Sequence, residues 1–153
     1  MAKRVINGVA EMKELVGQEV GVSDWVEVTQ QRIDQFAQAT GDNQWIHTDV
    51  ERCRRESPHG MTIAHGYLTI ALTPALVDEV IQIQGMRMGV NYGMNKLRFT
   101  APVPVGSRIR VRVTLKGVRE IAGAIQTVTQ LSVEREGQDK PCCVAETLSL
   151  YYP

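Results

Sequence analysis

The sequence predicts an α+β fold in which a run of antiparallel strands curves around one long buried helix. Three observations carry this expectation. Apolar residues from Ala64 to Gly85 recur at helical spacing on more than one face. After Gly85 the hydrophobic period changes to two. Ahead of the long helix lie one strand-rich stretch and two short helices, an order that suits a sheet packed on one helix.

The elements follow in order. Glu19 to Thr29 mixes Val20, Val22, Trp25, Val26 and Val28 and reads as strand. Ile33, Phe36, Ala37 and Thr40 recur at i, i+3, i+4, i+7, the mark of a short amphipathic helix. Gly41 stands where a helix-ending residue belongs, so Asp42 opens a loop. That loop is expected to close at Thr48, where Thr48-Asp49-Val50-Glu51 fits a capping box for a second short helix. Ser57-Pro58-His59-Gly60 ends it. The long helix, carried by Ala64, Leu68, Ala71, Leu72, Ala75, Leu76 and Val80, contains Pro74, which should kink or split it with Thr73 as a cap for the second half. Then Ile109, Val111, Val113 and Leu115 alternate with Arg108, Arg110, Arg112, Thr114 and Lys116, a strand with one wet face. Ile125, Thr127, Thr129, Leu131 and Val133 form another, and Val144, Leu148 and Leu150 mark a last one. Gly93, in the middle of a strand at Asn91-Tyr92-Gly93, suggests a bulge or a close backbone approach.

Length and composition narrow the function. The 153 residues are read as a single domain, 1–153. Lysine plus arginine balance aspartate plus glutamate at 17 each, with no long basic run, so nucleic acid and anionic membranes are poor partners. The first residues carry two cations without an apolar stretch behind them and predict no secretory leader. No apolar run approaches the roughly 20 residues that span a bilayer. Cys142 and Cys143 are adjacent and Cys53 is remote, neither a disulfide framework nor a metal spacing, which points to reduced thiols in the cytoplasm and to no bound metal.

Chemistry concentrates in Gly41-Asp42-Asn43-Gln44-Trp45-Ile46-His47 and in His65-Gly66. A carboxylate and an imidazole five positions apart, on one tight connection, can turn toward each other. The apolar Trp45 and Ile46 should bury that loop. A partly buried Asp–His pair suits proton transfer near neutral pH. The bland alternative makes Asp42 an ordinary loop residue and His47 a surface one. At Gly66 a bare helix start offers N–H donors to a developing oxyanion, helped by the helix dipole; alternatively the glycine merely permits close packing. His65 is read as packing and orienting that turn, and His59 as solvated. The arginine stripe 108/110/112 reads as a solvated face, with a phosphorylated carrier as the other possibility. Met86, Met88 and Met94 read as adaptable core.

These residues carry a resemblance. Phe36-Ala37-Gln38-Ala39-Thr40-Gly41-Asp42-Asn43-Gln44-Trp45-Ile46-His47-Thr48-Asp49 and Thr62-Ile63-Ala64-His65-Gly66-Tyr67-Leu68 resemble the signatures of the MaoC-like dehydratases, the (R)-specific enoyl-thioester hydratases, and most of all the nodulation protein N-like branch. Asn91-Tyr92-Gly93 and Leu97 to Gly106 look like that family's strand after the central helix. The resemblance implies a hot-dog fold, a homodimer whose sheets join side by side, Asp42 and His47 as the catalytic pair holding the reactive water, and the Gly66 amide on the thioester oxygen. It implies an (R)-specific enoyl-CoA hydratase, or 3-hydroxyacyl-thioester dehydratase, with CoA or an acyl-carrier thioester as substrate and no metal or redox cofactor. Where the commonest motif has Asn-Pro, this chain has Gln44-Trp45, which bears on the acyl pocket; Gln44, Trp45 and Tyr92 are therefore candidate substrate-binding residues. Two other activities suit the same fold, an acyl-CoA thioesterase and a non-catalytic acyl-thioester-binding protein.

Overall fold

The structure is a computed structural model and describes residues 2–153. The chain begins with β1 (Arg4–Asn7), α1 (Gly8–Glu14), β2 (Glu19–Val22) and β3 (Val26–Glu27). Three short helices follow, α2 (Gln30–Thr40), α3 (Trp45–Thr48) and α4 (Val50–Glu56), then the long α5 (Gly66–Val80). It closes with β4 (Ile81–Gln84), β5 (Met88–Arg98), β6 (Arg108–Ile121), β7 (Ala124–Arg135) and β8 (Cys143–Tyr152). The main sheet runs β2-β6-β7-β8-β5 with β3 also on β6, and all of its pairings are antiparallel. The expected α+β layout is present. Ile109, Val111 and Val113 of β6, Leu131 and Val133 of β7, and Ala145 of β8 join Leu68, Leu76 and Val80 of α5 in one core. Among the described residues no helix is long and apolar enough to cross a membrane.

Several local expectations change. The stretch Glu19 to Thr29 is two short strands, and Thr29 belongs to neither: its hydroxyl accepts the Arg32 N–H at 3.1 Å and starts α2. The long helix stops at Val80. Ile81 to Gln84 alternate apolar and polar, a period of two too short to stand out in the sequence, and pair in parallel with β1 from Arg4↔Ile81 to Asn7↔Gln84. Pro74 does not split α5. Lacking an N–H, it leaves the Ile70 carbonyl without its helical donor, and the Thr73 hydroxyl donates to that carbonyl at 2.7 Å.

In the last strand the buried start is Cys143 and Ala145, so Val144 lies on the opposite face. The bulge expected near Gly93 is present: pairing passes from Asn91↔Ser149 to Gly93↔Leu148, skipping Tyr92. Met88 and Met94 are not core; they are 51% and 47% exposed on β5, whereas Met86 packs against the core. The arginine stripe is a solvated face with its charges matched. Arg110 and Arg112 share the Glu134 carboxylate at 2.7 and 2.9 Å, Arg112 also reaches Glu19, and Arg108 pairs with Glu136 at 2.8 Å.

Candidate active site

The first short helix points the chain into the site. α2 ends at Gly41, whose φ of 81° is left-handed and open to a residue without a side chain at little cost. Asp42 follows, held locally: its N–H meets Thr40 Oγ1 at 3.3 Å and its carboxylate accepts the Gln44 N–H at 3.4 Å. The connection is not one open loop, because residues Trp45–Thr48 wind into α3. The Gln44 carbonyl accepts the His47 N–H at 3.0 Å, and Thr48 Oγ1 donates back to the Asn43 and Gln44 carbonyls. Thr48 thus closes α3, and the cap of α4 falls one residue later: the Asp49 carboxylate accepts the Arg52 N–H at 3.0 Å. The loop is braced at Gln44 through its main chain.

His47 is buried and doubly anchored. Its Nδ1 lies 2.7 Å from the Ile63 carbonyl. A carbonyl only accepts, so Nδ1 carries the hydrogen and Nε2 keeps a free lone pair. Its own carbonyl accepts from the Gln30 side chain at 2.8 Å, and Gln30 in turn accepts the hydroxyl of the buried Thr62. Residues 62–64 are themselves tied down, Ile63 N–H to the Ile46 carbonyl and Ala64 N–H to that of Val103. Burial lowers the His47 pKa from its ordinary 6.5, and the neighbouring His65 adds to this; the Ile63 carbonyl and Asp42 oppose it.

One carboxylate oxygen of Asp42, one ring nitrogen of His47 and one of His65 lie within 4.8 Å of one another. The two imidazoles stack, centroids 3.8 Å apart and planes 24° from parallel. Ring lone pairs lie in the ring planes, so in a near-parallel stack they lie in separate, nearly parallel planes. That arrangement suits proton handling better than chelation by both rings. His65 is the residue before α5, and the first N–H groups of that helix have no intrahelical partner. The site thus sets a carboxylate and an imidazole lone pair beside a helix start that can hold negative charge.

Gly66 has a packing reason too. A Cβ built there would fall 2.7 Å from Cδ2 and Cε2 of Phe99. Phe99 meets Tyr67 edge-on at 6.0 Å, and both rings are exposed, at 44% and 69%. Nothing in the sequence ties Phe99 to the site; its contact is made across 33 positions from Gly66, a separation no local pattern carries.

The remaining candidates lie apart. Trp45 lies under the Arg52 guanidinium, 4.2 Å from the ring centroid, two residues from His47. Tyr92, 63% exposed, lines an open cleft of about 830 Å³ between α5 and β5, together with Ile70, Val77, Met88 and Met94. Asp42, His47 and Gly66 are not among its walls. His59 lies on an exposed turn.

A family model described as a MaoC like domain matches residues 11–137. The chain belongs to the MaoC-like family. The MaoC-like chain is 47% identical over 149 residues to 3-hydroxyacyl-thioester dehydratase Z of Mycobacterium tuberculosis, covering 97% of this chain and 98% of that protein. It is 41% identical over 144 residues to Nodulation protein N of Rhizobium leguminosarum bv. viciae, covering 92% and 89%. Among solved structures it superposes on the unliganded R-hydratase PhaJ1 of Pseudomonas aeruginosa with a TM-score of 0.70 at 24% identity, covering 90% and 81% of the two chains. The MaoC-like chain has the hot-dog fold, with α5 as the wrapped helix.

Proposed function

We propose that the chain is a hydro-lyase, an (R)-specific enoyl-thioester hydratase that adds water reversibly to a trans-2-enoyl thioester to give the (R)-3-hydroxyacyl thioester. The observation that carries this reading is the His47 lone pair, exposed by the Nδ1–H bond to Ile63, beside the Asp42 carboxylate and next to the α5 start. Asp42 and His47 hold one water. As its oxygen bonds to C3 of the substrate, the pair takes a proton from it, and the C2–C3 π electrons move onto the thioester oxygen as an enolate. The Gly66 N–H steadies that oxygen. A proton from the pair is then delivered to C2 on the same face, so water adds syn and every atom of it is kept. A coupled pair does not divide these roles between its members. The thioester stores the charge, so the reaction calls on no metal or redox cofactor.

The same reading treats residues 1–153 as one domain acting in the cytoplasm, where Cys53, Cys142 and Cys143, all buried, stay reduced. Its acyl carrier is CoA or a carrier protein. It is a homodimer joined along β5, supported by that strand's place at the sheet edge and by Met88, Val90, Tyr92 and Met94, all 41% exposed or more. Light scattering expects twice the 17.0 kDa chain mass. Gln44, Trp45 and Tyr92 are the candidate substrate-binding residues: Gln44 and Trp45 stand beside His47 in sequence, and Tyr92 would meet the acyl chain only where the α5/β5 cleft and the Asp42–His47 site are joined in the dimer.

A panel of enoyl-CoAs with chiral analysis of the product tests the activity. Crotonyl-CoA or a longer homologue is hydrated to the (R) alcohol, and Asp42→Asn and His47→Gln each lose roughly 10²-fold or more in rate, the range of positioned acid–base groups. Free thiol released from a saturated acyl-CoA, or tight binding without turnover, refutes the reading.

A further inference from the structure

His65 is 2% exposed, and its Nδ1 is the one buried side-chain nitrogen or oxygen among the described residues without a hydrogen-bond partner. An unpaired polar atom at that depth costs free energy. If the site needed only a filler of this size, a leucine would spare that cost. The imidazole supplies two things a leucine does not. Its Nε2 lies 3.0 Å from the main-chain oxygen of Asp42, and its face lies on the His47 ring, with Phe36 at 4.8 Å as a further ring neighbour. The carbonyl can only accept, so Nε2 carries the hydrogen. This tether is shorter than the 3.3 and 3.4 Å local bonds that otherwise hold Asp42. It also ends on the residue directly before Gly66.

We propose that His65 is a positioning residue: its Nε2–H ties the Asp42 main chain to the start of α5, and its ring sets the plane of His47, so that the Asp42–His47 pair and the Gly66 amide keep one fixed spacing. The inference rests on the hydratase reading above for its kinetic consequence, and not for its geometry. His65 passes no proton in the reaction: its Nε2–H is held by the Asp42 carbonyl, and its Nδ1 has no hydrogen-bond partner to exchange one with. The two titratable groups facing His47 are then Asp42, across the cluster, and His65, in the stack. The two rings hold opposite tautomers, Nδ1–H in His47 and Nε2–H in His65, each set by a main-chain carbonyl.

The test compares His65→Gln, whose amide nitrogen reaches about as far as Nε2, with His65→Asn, one methylene short. Nitrogen-15 spectra of the wild type should show the opposed tautomers at neutral pH. Amide exchange across residues 42–47 should be at least about 10-fold faster in Asn than in Gln. With crotonyl-CoA, kcat should fall at least about 10-fold in Asn, which loses both tether and ring, and less in Gln, which loses only the ring, with KM within about 3-fold in both, because misplacement by about 1 Å is costly for a positioned pair. His65 found as the Nδ1–H tautomer overturns the proposal. So do Gln and Asn variants that match each other in amide exchange. Should the wild type hydrate no enoyl thioester, the hydratase reading falls, and the tautomers and the exchange contrast still decide the role of His65.

Discussion

Replacing Gly66 by alanine separates the two reasons for a glycine at the start of α5. The new Cβ would lie 2.7 Å from two carbons of the Phe99 ring, which must retreat by about 0.7 Å to reach the 3.4 Å edge of ordinary contact. Overpacking of this kind costs roughly 1–3 kcal/mol. Alanine's better helix propensity returns at most about 1 kcal/mol. Phe99 is 44% exposed and free to yield on one side, which favours the lower half of the range. A net loss of about 0–2 kcal/mol is expected, a fall in Tm of up to roughly 8 °C for a chain of this size. Thermal and urea unfolding measure it in Gly66→Ala, in Phe99→Leu and in the double variant. The smaller, flexible leucine should remove most of the alanine's cost, leaving a coupling of about 1 kcal/mol between the two sites. If alanine costs the same in the Phe99→Leu background as beside the native ring, that contact is not what selects glycine. Alanine keeps the N–H, so hydration rates on the same proteins read whether the bare Cα matters: if it is what lets the thioester oxygen reach that amide, kcat stays depressed in the double variant when its stability has returned.

Further outcomes follow from individual contacts. The folded His47 pKa lies below 6.5, so as pH falls from 6.5 toward that value the unfolded chain takes a proton that the folded one refuses. Stability should therefore drop across that window, by at most about 1.4 kcal/mol per pH unit, and His47→Gln should remove this part of the pH dependence in urea titrations. Thr29→Ala deletes the acceptor of the Arg32 N–H and should cost about 1 kcal/mol, read in the same way. Thr62→Val leaves Gln30 Oε1 without its buried donor and should cost about 1–3 kcal/mol; by loosening the Gln30 anchor on His47 it should also slow hydration with little change in KM.

The parts of the molecule legible in the sequence are those whose cause is local. Ile33, Phe36, Ala37 and Thr40 announce α2, and Gly41 announces its end, because helix periodicity and a left-handed stop act within a few residues. The alternation in β6 and the bulge beside Gly93 are legible for the same reason. Errors fall where two local signals compete or where distant chain decides. Both Thr48 and Asp49 can cap a helix; the one-turn α3 takes Thr48, and Asp49 is left for α4. Ile81 to Gln84 continue a helical pattern acceptably, and only the pairing with Arg4 to Asn7 makes them a strand. At the site, Asp42, His47 and Gly66 stand out as residue types, but what arranges them comes from far along the chain: the Ile63 carbonyl, the Gln30–Thr62 bond and the Phe99 ring.

The Thr73–Pro74 step in α5 has a consequence for how this helix can change over generations. The Ile70 carbonyl takes a hydrogen bond from the Thr73 hydroxyl, and Pro74 has no N–H to offer it. Thr73→Val made first strands a buried acceptor, at about 1–3 kcal/mol. Pro74→Ala made first restores an N–H at the helical position and leaves the hydroxyl redundant, after which valine at position 73 becomes nearly neutral. The same two substitutions are thus tolerated in one order and penalised in the other, so the pair should vary together, with proline at position 74 found only beside a hydroxyl-bearing neighbour.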